Sequence, residues 1–256
     1  MDPRKTAFLE IAKAQGADLV GIARVEDIPL SHPPRSAQET LPGARSAVVI
    51  VARQLQGAIN QHKSYKPAIK DILMSYSFVD NAAARIARHL EKEGYESVHM
   101  AATMPVEFLG GRNFIGEFPH RNAAVAAGLG VRGRNNLLIT PDFGPRHRMA
   151  SVITKALLEP DPVLKESPCT KCEKCVKVCP VSAFDNGTDE RPVDVMKCRG
   201  YLTKPLLGGM KVRNMVKSMF TTKDWISEVV QTLMQGYHSY CHACMAVCPA
   251  GKLKGK

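Results

Sequence analysis

The sequence predicts an α+β protein in two parts: a mixed helix and strand domain over residues 1–160, and a smaller, cysteine-built domain over residues 161–256. Three observations predict it. Apolar runs of strand length alternate with helical periodicity through the first 160 residues, the pattern of an α/β or α+β domain. Every cysteine lies at or beyond Cys169. The pair Asp161 and Pro162 marks the passage between the two regions.

Taken in order, the first element is a helix over residues 5–15, where Phe8, Ile11 and Ala12 recur at helical spacing and Gly16 stops the run. The stretch ADLVGIARV reads as a strand. A proline-rich loop, IPLSHPPRSAQETLPGAR, leads to SAVVIVAR from Ser46, a β-branched and almost wholly apolar run that predicts a strand buried on both faces. A long helix is expected over about Lys70 to Glu93, with Ile86 and Leu90 on its apolar face and Gly94 closing it. Further strands are predicted at ESVHMAAT, NNLLIT and MASVITK.

Composition sets limits on the reading. With 256 residues, 45% hydrophobic and 23% charged, the chain has the make-up of a globular protein long enough to bury a core. The N-terminal stretch MDPRKTAFLEIAKAQGADLVGIA has charges scattered through an amphipathic pattern, so neither a signal peptide nor a membrane span is expected, and a reducing cytoplasm is the expected setting. The formal charge is +11. A basic balance suits an acidic redox partner, a phosphate-bearing substrate or RNA, and equally a solvated basic surface. The basic C-terminal part lacks the interleaved aromatic residues of a base-stacking surface.

The cysteines carry the chemistry. CTKCEKCVKVCP places Cys169, Cys172, Cys175 and Cys179 within one short run with proline behind the last. Zinc takes its ligands as two pairs separated by a folded loop, so this spacing does not suit it. The C-x2-C-x2-C-x3-C-P pattern is the bacterial ferredoxin spacing, in which three cysteines hold one [4Fe-4S] cube and the fourth reaches another. A second group, YCHACMAVCPAG, supplies Cys241, Cys244 and Cys248, and Cys198 lies between. The crossing assigns Cys169, Cys172 and Cys175 with Cys248 to one cube, and Cys198, Cys241 and Cys244 with Cys179 to the other. Two oxidised cubes with their thiolates bring the net charge to about +7. The 42 residues between Cys198 and Cys241 must loop out of the ferredoxin pattern.

Near the end of the first region lies PHRNAAVAAGLGVRGRNNLLITPDFGPRHRMASVIT, from Pro119 to Thr154. A small-residue helix, Ala123 to Ala127, is followed by Gly128, Gly130 and Gly133, with Arg132 and Arg134 beside them. Such a turn brings backbone N–H groups up to an anionic ligand, or else simply joins a helix to a strand. It has the spacing of neither a dinucleotide motif nor a P-loop.

On AGLGVRGRNNLLITPDFGPRHRMASVIT, PCTKCEKCVKVCPVSAF, CRGYLT, GADLVGIA and LPGARSAVVIVAR, the sequence resembles the corrinoid-dependent iron-sulfur reductases, which comprise epoxyqueuosine reductases and reductive dehalogenases. The resemblance covers nearly the whole chain. It implies cobalamin in a nitroreductase-like α/β domain, followed by a ferredoxin-like domain whose two [4Fe-4S] clusters reduce the cobalt. It implies cofactor contacts at Arg121, Gly133, Arg134, Asn135 and Asn136. By likeness to the dehalogenases, Tyr76 in MSYSF is the candidate proton donor and Arg134 its basic neighbour, an arrangement that favours phenolate and makes the tyrosine a readier acid.

The sequence also departs from both branches. Where epoxyqueuosine reductases carry an acidic proton donor, HMAATMPVEFLGGRNFIGEFPHR holds only Glu107 and Glu117, and the helical-repeat domain useful for tRNA is not expected here. An export signal of the dehalogenase type is not expected either. His120, at a helix start, is expected to make an ordinary hydrogen bond in place of a cobalt bond, while His238 and His242 flank the second cysteine group, where they are exposed or hydrogen-bonded to cluster sulfur. The leading expectation is a reductase fed by a low-potential donor such as ferredoxin or flavodoxin, acting through cobalamin on a small organic substrate, with tRNA as a further possible substrate. The alternative is a ferredoxin-type electron-transfer protein serving a separate redox or corrinoid partner.

Overall fold

The computed structural model describes residues 2–30, 36–61, 66–103, 107–109, 113–184, 193–195, 197–198 and 241–253. Helix α1 (Arg4–Ala14) leads into β1 (Leu19–Arg24); a short α2 (Ala37–Thr40) precedes β2 (Ser46–Arg53); and α3 (Gln56–Ile59) comes before the long α4 (Lys66–Lys92). After β3 (Ser97–Met100), the pair β4 (Glu107–Leu109) and β5 (Asn113–Ile115) leads to α5 (His120–Ala126). The pair β6 (Val131–Arg132) and β7 (Leu138–Ile139) then precedes β8 (His147–Thr154). Two short helices, α6 (Lys174–Lys177) and α7 (Ala243–Ala246), carry cysteines.

The central sheet has the order β1-β2-β8-β3, and every neighbouring pair is antiparallel. Of the two classes open from the sequence, this is mixed α+β. Strand β2 is buried at seven of its eight positions because both faces of the sheet are covered. On one face α1 and α4 lay Phe8, Ala12, Val79, Ala83, Ile86 and Leu90 against Val48, Ile50, Ala150 and Val152. On the other, Ala123, Ala124, Ala127 and Leu138 cover Ala47, Val49 and Ile153. Each fully buried Val, Leu, Ile or Phe among these contributes about 1.5–3 kcal/mol.

Local chemistry explains the boundaries. Buried Ile72, Ser75, Val79, Ala82, Ala83, Ile86 and Leu90 recur every three or four residues along α4, which begins at Lys66, four residues before the expected start. Gly94 closes it at φ +88°, where its N–H bonds the Glu91 carbonyl and that of Tyr95 reaches back to Leu90. The expected strand NNLLIT is shorter than predicted: only Leu138 and Ile139 pair with β6, because Asn136 turns at φ 59°. The β4–β5 pair was not predicted at all.

The passage to the cysteine region is pinned to the sheet edge. The Asp161 N–H donates to the Ile22 carbonyl at 2.9 Å, its carboxylate accepts from the Ile22 N–H at 2.8 Å, and Lys5 Nζ meets the same carboxylate at 2.5 Å. Edge strand β1 is thereby capped. The interval from 199 to 240, where the inserted segment of the ferredoxin pattern falls, lies outside the described residues.

Candidate metal centre

The first cysteine run folds as an alternation of conformations. Lys171 and Glu173 both adopt left-handed backbone, at φ 52° and 57°, a costly choice for residues with a Cβ. The resulting concave turn aims backbone N–H groups inward, as in anion-binding nests. Its effect is visible at Cys172, whose thiol is drawn below the usual range chiefly by the Lys174 N–H.

Cys169, Cys172, Cys175 and Cys248 line one cavity, although more than seventy residues separate the third from the fourth. The other four thiols are mutual electrostatic neighbours. After burial, the groups that disfavour ionisation of Cys198 are Cys241 and Cys179; Cys244, pushed up to about 12 by burial, also feels Cys241, Cys198, Cys175 and Cys179. Cys169, Cys172, Cys175 and Cys248 thus share one cavity, while Cys179, Cys198 and Cys241 neighbour Cys244, which also feels Cys175. Among the described residues no three His, Cys, Asp or Glu side chains converge on a single metal-ion position. Thiols that ring a cavity suit a multi-iron cube, which needs them held apart around it.

The sheet domain reaches into this region through Arg146, which sequence reasoning passed over. Arg146 is 2% exposed, and its guanidinium donates to the carbonyls of Met245 and Cys248, both at 3.1 Å, and of Ala250. One buried cation therefore satisfies three carbonyls around the end of α7. The approach is close enough to need glycine on both sides. A Cβ on Gly144, at φ +58°, would stand 2.1 Å from the Ala250 carbonyl oxygen, and one on Gly251, also at φ +58°, 2.3 Å from the Gly144 nitrogen. Apolar packing continues the seam, with Met245 and Cys244 against Ile59 and Ala68.

The predicted cofactor residues form one interlocked turn. Arg121 donates to the Asn136 carbonyl, Arg132 bonds the Asn136 side chain at 2.5 Å, and Asn135 accepts from the Leu137 N–H at 3.2 Å. Arg134 and Asn135 line the first cysteine cavity, and Arg134 stands 3.9 Å from Glu173. The glycines are structural here: the Gly133 N–H is taken by the Leu137 carbonyl and that of Gly128 by Val125, while a Cβ on Gly128 or Gly130 would strike the backbone oxygens of Pro162 and Ile139. Of the two readings of this turn, helix-to-strand connection is the one the geometry favours over an anion cradle.

Tyr76 has a different cation from the one expected. Arg148 stacks over its ring, 5.4 Å from the centroid, whereas Arg134 faces the cysteines. The sheet end that meets α4 near Asp71 and Tyr76 holds buried polar groups that are incompletely paired. Gln54, 1% exposed, gives its amide N–H to Asp71 at 3.3 Å, and Asp71, raised by burial, also accepts from the Leu55 N–H. The buried atoms Gln54 Oε1, Arg148 Nε and His147 Nδ1 have no hydrogen-bond partner. Two of the three, Gln54 Oε1 and Arg148 Nε, belong to residues that contact α4 from the sheet end where β2 stops and β8 begins.

Among the histidines, His120 uses both ring nitrogens, Nδ1 with Ser151 Oγ at 2.9 Å and Nε2 donating to the Ala101 carbonyl at 3.0 Å. Burial lowers it to about 4, so it is a neutral strut, as its helix-start position predicts. Glu117 is exposed, Glu107 lies in β4, His242 precedes α7, and His238 is outside the described residues.

These features define a class: an iron-sulfur protein of the two-cluster type, and residues 168–251 match the family model of the 4Fe-4S double cluster binding domain. Over part of its length the chain is similar in sequence to reductive dehalogenases and epoxyqueuosine reductases. It is 30% identical to a tetrachloroethene reductive dehalogenase of Desulfitobacterium hafniense over 184 residues, 70% of this chain and 28% of the relative. It is 31% identical to an epoxyqueuosine reductase of Listeria monocytogenes over 134 residues, 52% of this chain and 30% of that one. The chain spans less than a third of the length of these curated relatives. In fold it resembles an epoxyqueuosine reductase solved with an epoxyqueuosine-modified tRNA-Tyr stem loop, at TM-score 0.60 and 20% identity over 98% of this chain and 66% of that one. It resembles equally a reductive dehalogenase whose structure suggests a mechanism for B12-dependent dehalogenation, at TM-score 0.60 and 19% identity over 93% and 37%.

Proposed function

We propose that this chain is an iron-sulfur reductase that passes single electrons through two [4Fe-4S] clusters to a bound cobalamin for the reduction of an organic substrate. The observation that carries the reading is the meeting of the crossed cysteine sets with the sheet domain, through Arg146 on one side and Arg134 and Asn135 on the other. Cys169, Cys172, Cys175 and Cys248 hold one cluster, and Cys179, Cys198, Cys241 and Cys244 the other. Residues 1–160 form the nitroreductase-like corrinoid-binding domain, and residues 161–256 the ferredoxin-like domain.

The residues where the sheet end meets α4 fit a corrinoid. Its amide side chains carry both donors and acceptors, the complement of a buried acceptor at Gln54 Oε1 and a buried donor at Arg148 Nε left without partners. When bound, the corrinoid supplies strongly reducing cobalt, and the chain supplies position and protons. Arg121, Gly133, Arg134, Asn135 and Asn136, held together as one turn, would contact the corrinoid. Tyr76 would hold the proton at its hydroxyl, with Arg148 stacked over its ring to fix it in place. The electron donor is a low-potential ferredoxin or flavodoxin. The substrate is a small organic molecule or, following the epoxyqueuosine relatives, a modified nucleoside in tRNA.

The test is anaerobic reconstitution followed by titration with cob(II)alamin monitored by EPR. About eight irons per chain, from two four-iron clusters, with a base-off cobalt signal saturating at one equivalent, are expected. Eight irons with the spectrum of free cobalamin would leave the electron-transfer alternative, a chain that serves a separate redox or corrinoid partner.

A further inference from the structure

The outer edge of the first cysteine cage has the make-up of a docking surface. Cys172 is the exposed member of the eight cysteines, all of which are among the described residues. Around it Lys171, Lys174 and Lys177 are all exposed, and Lys174 and Lys177, three residues apart on α6, share a face. Lys165 is exposed on the approach to the same turn, and Val178, 37% exposed, adds an apolar spot. The carboxylates in this stretch are Glu166, exposed, and Glu173, which is drawn toward Arg134. At the other extreme Cys244 is packed against Ile59, Ala68 and Met245. The two cages therefore form a path with a wet end and a dry end.

We propose that Cys172, with Lys171, Lys174 and Lys177 around it, is where a small acidic one-electron carrier protein docks and delivers electrons to this chain. This rests on the cluster half of the proposed function and is independent of the corrinoid. A cluster ligand at the surface shortens the electron's path from a carrier, and a ring of lysines steers an oppositely charged protein toward it. In the transfer no bond forms or breaks. A flavodoxin hydroquinone is oxidised to its semiquinone, and the cube at Cys172 goes from the 2+ to the 1+ state. RNA is the other polyanion such lysines could attract, but residues 165–178 contain no aromatic side chain on which a base could stack.

The experiment is stopped-flow reduction of the reconstituted full chain by an acidic flavodoxin hydroquinone, following loss of cluster absorbance at low and high salt. The triple variant Lys171→Glu/Lys174→Glu/Lys177→Glu is expected to lose about tenfold or more in second-order rate at low salt and most of its salt dependence, in line with electrostatic steering. The corresponding Lys→Gln triple should fall between it and the wild type. Reduction by dithionite, which needs no docking, should be unchanged in all, and this also verifies that each variant holds its clusters. A control triple on exposed lysines elsewhere, Lys13→Glu/Lys70→Glu/Lys92→Glu, matches the change in net charge. Equal slowing of both charge-reversed triples, or unchanged rates in the first, would overturn the docking site while leaving the clusters intact. Loss of affinity for an RNA stem loop with an unaltered flavodoxin rate would overturn it in favour of RNA. Absence of cluster absorbance in the wild type would overturn the proposed function together with it.

Discussion

His147 buries its ring at the start of β8, with Nε2 donating to the Leu138 carbonyl at 3.0 Å and Nδ1 unpartnered. Burial, with Arg148 and Arg146 nearby, lowers it from 6.5 to about 4. The unfolded chain therefore binds a proton below pH 6.5 that the folded chain refuses. The stability this neutral ring confers is complete above pH 6.5 and is lost as the pH falls toward 4, up to roughly 3 kcal/mol. Replacing His147 by Phe should flatten the fall in melting temperature between pH 7 and 5 relative to the wild type, at the expense of one hydrogen bond at neutral pH; an unchanged slope would place the titration elsewhere. At Tyr76, substitution by Phe keeps the ring under Arg148 and so should leave folding and iron content unaltered, while substrate reduction falls by about 10²–10⁴. The cysteines were legible because their spacing is itself the chemistry. Arg148 and Gln54 were not, since an arginine at the end of a strand and a glutamine in a loop become a site only when Tyr76 and Asp71 on α4 are brought against them.

At the scale of elements, the turn Phe143–Arg146 and the turn Pro249–Gly251 are built as one backbone-to-backbone joint. Gly144→Ala would force a Cβ into the Ala250 carbonyl at a position where left-handed backbone already disfavours it, a strain of about 1–3 kcal/mol before any relaxation. The expected outcome is loss or lability of the cluster bound by Cys248, read by iron content and EPR, with the sheet domain intact by circular dichroism. Arg146→Leu should act at the same joint, since three carbonyls lose their donor, a penalty of about 3 kcal/mol or more. Elements with strong local signals were read from sequence: β2 from its apolar β-branched run, α4 from its spacing and closing glycine, α1 from Phe8 and Ala12. Their arrangement was not, because β2 pairs with β8 about a hundred residues away and nothing local encodes that register. The glycines after α5 left a ligand cradle and a strand connection both open, since a glycine that admits a neighbouring strand and one that admits a ligand have the same sequence.

In the whole molecule, the two cysteine groups and the sheet domain are mutually dependent. Cys248 lines the cavity of the first cysteine group, and the C-terminal group is held by an arginine from β8's approach, so cluster assembly and docking should proceed together. Among the described residues no helix is long and apolar enough to cross a membrane. The central claim is the crossing of ligands, and it is tested most directly by counting irons and recording EPR spectra of reduced Cys248→Ala and Cys179→Ala chains. The account predicts that each variant retains about four irons, one four-iron cluster, and that the two lose different signals: Cys248→Ala the one belonging to Cys169, Cys172 and Cys175, and Cys179→Ala the one belonging to Cys198, Cys241 and Cys244. The reverse pairing, with Cys179→Ala removing the cluster of its own motif and Cys248→Ala that of the C-terminal motif, would contradict it.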